Sequence, residues 1–176
     1  MADSNISEAM KAAVGTETSR STSYPISESD IRKWAMAVYW PEKAPDVFTD
    51  PAAAAKTVHG RLVAPEEFNP FAWASAKDEL LLTGGLPSRM VNDPDSSERA
   101  LGIEGPGLKF MLNGGMICEY GVRMGVGDVI TGTNSVGEYS EREGRLGLML
   151  FSRGVSTWVN QNGEMVKRTT STLIRY

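Results

Sequence analysis

One histidine and one cysteine stand among 176 residues, so few side chains here can move a proton or attack a carbon near neutral pH. His59, in Val58-His59-Gly60-Arg61, carries the group whose unperturbed pKa lies nearest neutrality, which makes it the first candidate for acid–base work. A hydrogen-bonded loop histidine is the commoner use of such a residue. Cys118 lies in an apolar, strand-like context and cannot close an internal disulfide. It reads as a small core residue rather than a nucleophile, and one lone thiol suits a reducing cytosol. A zinc site would have to be completed by carboxylates, so no metal is expected. There is no Gly-x-x-x-x-Gly-Lys-Ser/Thr stretch and no Gly-x-Gly-x-x-Gly between a strand and a helix, so no nucleotide cofactor is expected either.

Charge narrows the partners. Eighteen basic against twenty-two acidic side chains give a net charge of −4, with no basic run, which argues against nucleic acid. The N-terminus has no basic start and no apolar run, and no later stretch approaches the ~18 apolar residues of a membrane span. A cytoplasmic protein without membrane insertion is the expectation. With 41% hydrophobic residues the chain can bury one core, read here as a flexible tail over residues 1–9 and a single domain over 10–176.

The elements that must position these groups are clearest in the last third. Asp128 to Tyr139, Gly147 to Val159 and Met165 to Tyr176 are long, proline-free and rich in β-branched and aromatic residues, and another strand begins near Leu112. Asn162-Gly163 suits a tight turn between the last two strands, and Glu141 to Arg145, with Gly144, suits a second hairpin. An antiparallel meander follows. Gly132, Gly137, Gly147 and Gly154, inside or beside these strands, allow the sheet to bend strongly.

Upstream, Ser7 to Val14 reads as a short helix stopped by Gly15, and Thr16 to Ile26 as an extended edge segment. Ser27 caps the clearest helix, with acids in its first turn and Ile31, Trp34, Ala35 and Val38 on one face, ending at Trp40-Pro41. Asp50-Pro51 opens a short alanine helix. Pro65 opens a third, expected to run to about Ala76 and, through Phe68, Phe71 and Trp73, to be the one the sheet wraps. Residues 77–109 read as a turn-rich insertion over a ligand entrance or along a subunit contact.

The order of these pieces matters. Ile26-Ser-Glu-Ser-Asp-Ile-Arg-Lys-Trp-Ala, then Ala44-Pro45-Asp46, Leu62-Val63-Ala64-Pro65, Gly114-Gly115 and Gly127-Asp128-Val129-Ile130 before a long meander resembles the MaoC-like dehydratases and (R)-specific enoyl-CoA hydratases. The likeness is to their N-terminal-type, non-catalytic partner domains. It implies an α+β hotdog fold, a curved antiparallel sheet around a central helix. It also implies a homodimer or a heterodimer with a second hotdog subunit, and an acyl-CoA or acyl-carrier thioester as ligand. Coenzyme A would enter only as part of the substrate.

Hydrating an enoyl thioester needs a base for the water, an acid for Cα and donors for the enolate-like oxygen. Hydratase members hold the water between the acid and the imidazole of an Asp-x-Asn-Pro-x-His pattern. That pattern falls on Glu42-Lys43-Ala44-Pro45-Asp46-Val47, where Glu42 replaces the Asp and Val47 the His. Valine takes no proton, so Glu42, Asp46 or His59 would have to serve instead, although loop acids are usually just solvated. The resemblance further offers Asn69 and Phe71 for the acyl chain, and Asn113, Gly114 and Gly115 for close backbone approach to the thioester. Arg123 and Arg145 are its candidates for coenzyme A phosphates. The readings kept open are a partner subunit lacking the Asp/His pair, a self-sufficient homodimeric hydratase or thioesterase, and a non-catalytic acyl-CoA or lipid binder.

Overall fold

The computed structural model describes residues 4–72 and 93–176. Its chain order is α1 (Glu8–Ala12), β1 (Glu17–Thr22), α2 (Glu28–Tyr39), a 3-10 turn (Asp46–Phe48), α3 (Pro51–Ala54), α4 (Ser96–Ala100), β2 (Met111–Tyr120), β3 (Thr131–Gly144), β4 (Gly147–Val159) and β5 (Met165–Arg175). The five strands form one sheet in the order β1-β3-β4-β5-β2, and every neighbouring pair is antiparallel. The expected meander is β3-β4-β5. The segment before Ile26 is indeed an edge strand, and β2 closes the opposite edge beside β5.

Two of the four register shifts in the sheet fall at glycines. In β3 the register against β4 shifts between Val136 and Tyr139, around Gly137, and in β2 the register against β5 shifts between Asn113 and Met116, around Gly114-Gly115. Gly115 has φ +100°, a conformation that other residues reach only under strain. Gly163 closes the β4–β5 turn at φ +79°.

The helix ends follow their capping residues. Ser7 Oγ accepts the Met10 amide at 3.2 Å, Ser27 Oγ accepts the Asp30 amide at 3.1 Å, and Asp50 Oδ1 accepts the Ala52 amide at 2.8 Å. In α2, Ile31 and Ala35 are fully buried and Trp34 and Tyr39 pack beside them. Val38 points to solvent, because the buried stripe turns with the helix from Ala35 toward Tyr39. The core joins α2 to Phe48, Ala54, Leu62, Val63, Phe68, Met124, Ile130 and Val166.

Three expectations change. Residues 65–71 form turns, and 3-10 geometry begins only at Ala72: Phe68 N–H bonds Pro65 O at 3.0 Å, and Asn69 Oδ1 takes the Phe71 amide at 2.9 Å, so side chain and turn satisfy what a helix would have satisfied. The remainder of that helix, with Trp73, lies outside the described residues. The N-terminal tail is tied down from Ser4, whose hydroxyl and the next amide bond Glu141 at 2.7 and 2.6 Å, and Met10 is fully buried. The described end of the 77–109 stretch holds a helix, α4, where turns alone were expected. Arg175, 1% exposed, donates to Pro94 O, Asp95, Glu98 and Ser152, and so pins α4 to the end of β5.

Candidate functional site

The loop that carries Glu42 and Val47 follows α2 directly. The Glu42 amide donates to Tyr39 O at 2.7 Å, and the Glu42 side chain is exposed. Lys43 pairs with Asp46 at 2.7 Å on the surface. The 3-10 turn then sends Asp46 outward and Val47 and Phe48 inward. Val47 packs against the core cluster, and Phe48 meets Tyr39 with ring centroids 5.9 Å apart. Val47 is therefore a hydrophobic contact.

His59 stands on the next loop, exposed, its amide bonded to Thr57 Oγ1 at 3.3 Å. Two residues on, Arg61 clamps Asp128 with two bonds of 3.0 and 2.7 Å, while the Gly125 amide and Gln161 Nε2 add bonds of 2.8 and 3.2 Å to the same carboxylate. Burial works against the Asp128 anion, but these donors outweigh it and hold its pKa below the ordinary aspartate value. The clamp fixes the His59 loop to the turn before β3. No hydrogen bond or ion pair among the described residues links Glu42, Asp46 and His59.

The binding candidates separate as well. Asn113, Gly114 and Gly115 make the β2 bulge, where the Gly115 amide bonds Asn113 Oδ1 at 2.8 Å, so that N–H has a local acceptor. Arg123 is held by Glu66 at 2.9 Å and reaches Ala64 O at 3.5 Å. Arg145 lies exposed in the β3–β4 turn. Cys118 is half-buried on β2, with its sulfur 3.8 Å from Thr169 Oγ1, rather than in the core, because β2 is an edge strand.

Of the two acyl-chain candidates, Asn69 borders a ligand-sized space. A hollow of about 420 Å³ opens between the start of α2 and the 65–72 turns, lined by Tyr24, Pro25, Ile26, Trp34, Ala37, Phe68 and Pro70, with Asp30, Lys33 and Asn69 as polar members. Trp34 and Phe68 meet edge to face at 5.6 Å within it. Phe71 turns instead to the sheet, packing on Trp158 at 5.3 Å and over Gly132, where a Cβ would sit 3.1 Å from its ring. The Trp34 Nε1 hydrogen is buried without a hydrogen-bond partner among the described residues. In the sequence Trp34 looked like one more residue of an apolar helical face, so nothing there marked it as a wall of this hollow.

A second hollow, about 290 Å³, crosses one face of the sheet and is lined by Asn134, Ser152, Ser156, Thr169 and Ser171, with Tyr139, Glu98 and Arg175 at one side. Burial and the bond to Glu98, 2.8 Å long, push the Tyr139 hydroxyl pKa upward. Its hydroxyl-rich lining suits a polar guest. The first hollow, mostly apolar with a few polar groups, has the composition of a seat for an acyl group.

The comparisons agree with this architecture. The family model described as FAS1-like, dehydratase domain region matches residues 12–169. A comparison with curated protein sequences found no match. Among solved structures, the MaoC-like dehydratase from Rhodospirillum rubrum aligns at TM-score 0.53 and 19% identity, over 93% of this chain and 92% of that one. R-hydratase PhaJ1 from Pseudomonas aeruginosa aligns at 0.52 and 20%, over 92% and 81%, and the ChsH1-ChsH2 complex from Mycobacterium tuberculosis at 0.62 and 16%, over 96% and 88%. With the family model spanning residues 12–169, the chain belongs to the FAS1-like dehydratase domain region, built on the hotdog fold of the MaoC-like dehydratases and (R)-hydratases.

Proposed function

We propose that this chain is the subunit of an enoyl-thioester hydratase or dehydratase that lacks the Asp/His pair, and that it works with a second hotdog chain that supplies it. One observation carries the reading. Val47, which the resemblance aligns with the family imidazole, is half-buried against the core, while Glu42 is solvated and His59 stands on a separate loop. A base must reach the water and an acid the α-carbon of one bound substrate, and these three residues form no such constellation. The chain's own contribution is a wall for the acyl group, from Trp34, Phe68 and Asn69, with the thioester belonging to coenzyme A or to an acyl carrier. The ChsH1-ChsH2 relative, a complex of two differently named chains, supports pairing of this kind.

The test is enoyl-CoA hydration, followed by loss of the conjugated thioester absorbance across short and long acyl groups. The purified chain alone is expected to give no turnover above the uncatalysed rate. Co-expressed with a hotdog chain that carries an intact Asp-x-Asn-Pro-x-His, it is expected to raise that chain's turnover or widen its acyl range. Turnover by the isolated chain that disappears in His59→Ala would overturn the reading in favour of a self-sufficient enzyme.

A further inference from the structure

The hydrogen-bonding groups around the 420 Å³ hollow are unbalanced toward donors. Lys33, on the α2 wall, brings three N–H donors and no acceptor, and it has no ion-pair partner among the described residues. The basic residues nearest to it in sequence, Arg32 and Lys43, are paired with Glu28 and Asp46. Asn69, on the turns after Pro65, gives its carbonyl Oδ1 to the Phe71 amide at 2.9 Å, which leaves its NH2 group unspent. Trp34 can only donate, and its Nε1 hydrogen is buried with no partner among the described residues. The one carboxylate of the lining, Asp30, takes the Ser27 hydroxyl at 2.7 Å and so belongs to the cap of α2. Pro25, Ile26, Ala37, Phe68 and Pro70 make the rest of the lining apolar.

We infer that this hollow binds an apolar molecule through a terminal carboxylate, which Lys33 and Asn69 hold while the chain of the guest lies against Trp34 and Phe68. A carboxylate only accepts, so one such group can take the Lys33 ammonium and the Asn69 amide together, and hydrogen bonds with an ionised partner are roughly twice as strong as neutral ones. An alcohol or amide head would bring a further donor to a rim whose donors already exceed its acceptors. A cationic head would face Lys33 and find only Asp30, one of whose oxygens is already bonded. Lys33 is exposed, so its charge contributes on the scale of a surface ion pair and the apolar walls supply the rest of the affinity. The volume lies near the lower end of the ~300–1,000 Å³ range of ligand pockets, which suits a short or medium chain. On the functional reading above, which this step extends, the guest is the acyl group of a dicarboxylic acid whose other carboxyl forms the thioester. The carboxylate site itself stands without that reading.

The experiment is a tryptophan-fluorescence titration of the purified full-length chain, with Trp34 in the wall as reporter and circular dichroism to confirm that each variant is folded. Two matched pairs of probes are compared, suberyl-CoA with octanoyl-CoA and free octanoate with octanol. In each pair the carboxylate-ended probe is expected to bind about fivefold more tightly at low salt, an advantage that shrinks as ionic strength rises. Lys33→Met keeps the apolar stem and is expected to bring both ratios to about one. Asn69→Asp keeps an acceptor for the Phe71 amide but sets an anion against the guest, and is expected to reverse the preference. A preference seen only in the free acid supports the carboxylate site and refutes the dicarboxylic thioester, so the two parts fail separately. Equal binding within both pairs overturns the inference. So does a preference that Lys33→Met leaves intact, or the binding of no probe at all.

Discussion

At the scale of single residues, Arg175 is the most consequential side chain that no local pattern announced. Its guanidinium is 1% exposed between Asp95, Glu98 and Ser152, and all of these bonds close across at least twenty residues of sequence. Removing one partner of a buried pair leaves the others charged and unsolvated, so Arg175→Met is expected to cost about 3–5 kcal/mol, read as a lower urea midpoint. Adding Glu98→Gln and Asp95→Asn to that variant is expected to recover part of the loss, because the stranded carboxylates are then gone. The same cluster sets a pH dependence. Burial opposes the Glu98 anion, yet the bonds from Arg175 and Tyr139 outweigh it, so the folded pKa lies below the ordinary glutamate value of 4.5. A depressed carboxylate pKa contributes stability that is complete above the unfolded value and disappears as pH falls through the folded one. Urea unfolding between neutral pH and pH ~3 is expected to show that loss in the wild type. Asp128, depressed from 3.8 by Arg61, adds to it, and Asp128→Asn is expected to lower stability at neutral pH while flattening the acid limb.

Elements in this chain were readable where a local rule fixed them. Ser7, Ser27 and Asp50 each cap the helix they precede, and Gly163 takes the positive φ its turn requires. Ser27→Ala is expected to cost about 1 kcal/mol, seen as a fall of several degrees in Tm, since it leaves the Asp30 amide without its acceptor. The stretch from Pro65 to Phe71 is turn rather than the expected helix for a physical reason. Phe68 and Phe71 have helical spacing, but Asn69 bonds the Phe71 amide and each ring goes to a different layer, Phe68 to Trp34 and Phe71 to Trp158. Apolar spacing describes only which residues leave water, and a turn can bury them as well as a helix can. At the β2 bulge, Gly115→Ala is expected to cost about 1 kcal/mol or more through its φ of +100°, with its largest effect in the β2–β5 contacts.

Across the described residues, the segments from Ser4 to Gly15 and up to Tyr176 belong to the folded unit. Met10 of α1 is fully buried, the Gly15 amide bonds Val136 O at 2.8 Å, and Arg175 anchors α4 one residue before the C-terminus. Met10→Ala is therefore expected to cost about 2–5 kcal/mol and to keep unfolding in a single transition, rather than to melt the N-terminus alone. A separate low-urea step in that variant would show the N-terminal segment to be an independent unit. The clamps Arg61–Asp128, Arg123–Glu66 and Lys167–Glu67, at 2.7, 2.9 and 2.8 Å, draw the 61–67 segment against the turn before β3 and against β5.

The sequence by itself determined the strands of the meander, the two hairpins, the helix caps and the order of elements that marks the family. Each of these rests on contacts within a few residues, or on the identity of a residue at a counted position. Only the tertiary structure decided that Val47 is a core contact, that Glu42 and His59 stay apart, and that Trp34 and Phe68 wall one hollow while Phe71 serves another layer. It alone placed β2, with its apolar faces, at an open edge. Those facts depend on which distant segments meet, and a packing partner leaves no periodicity in the segment it covers.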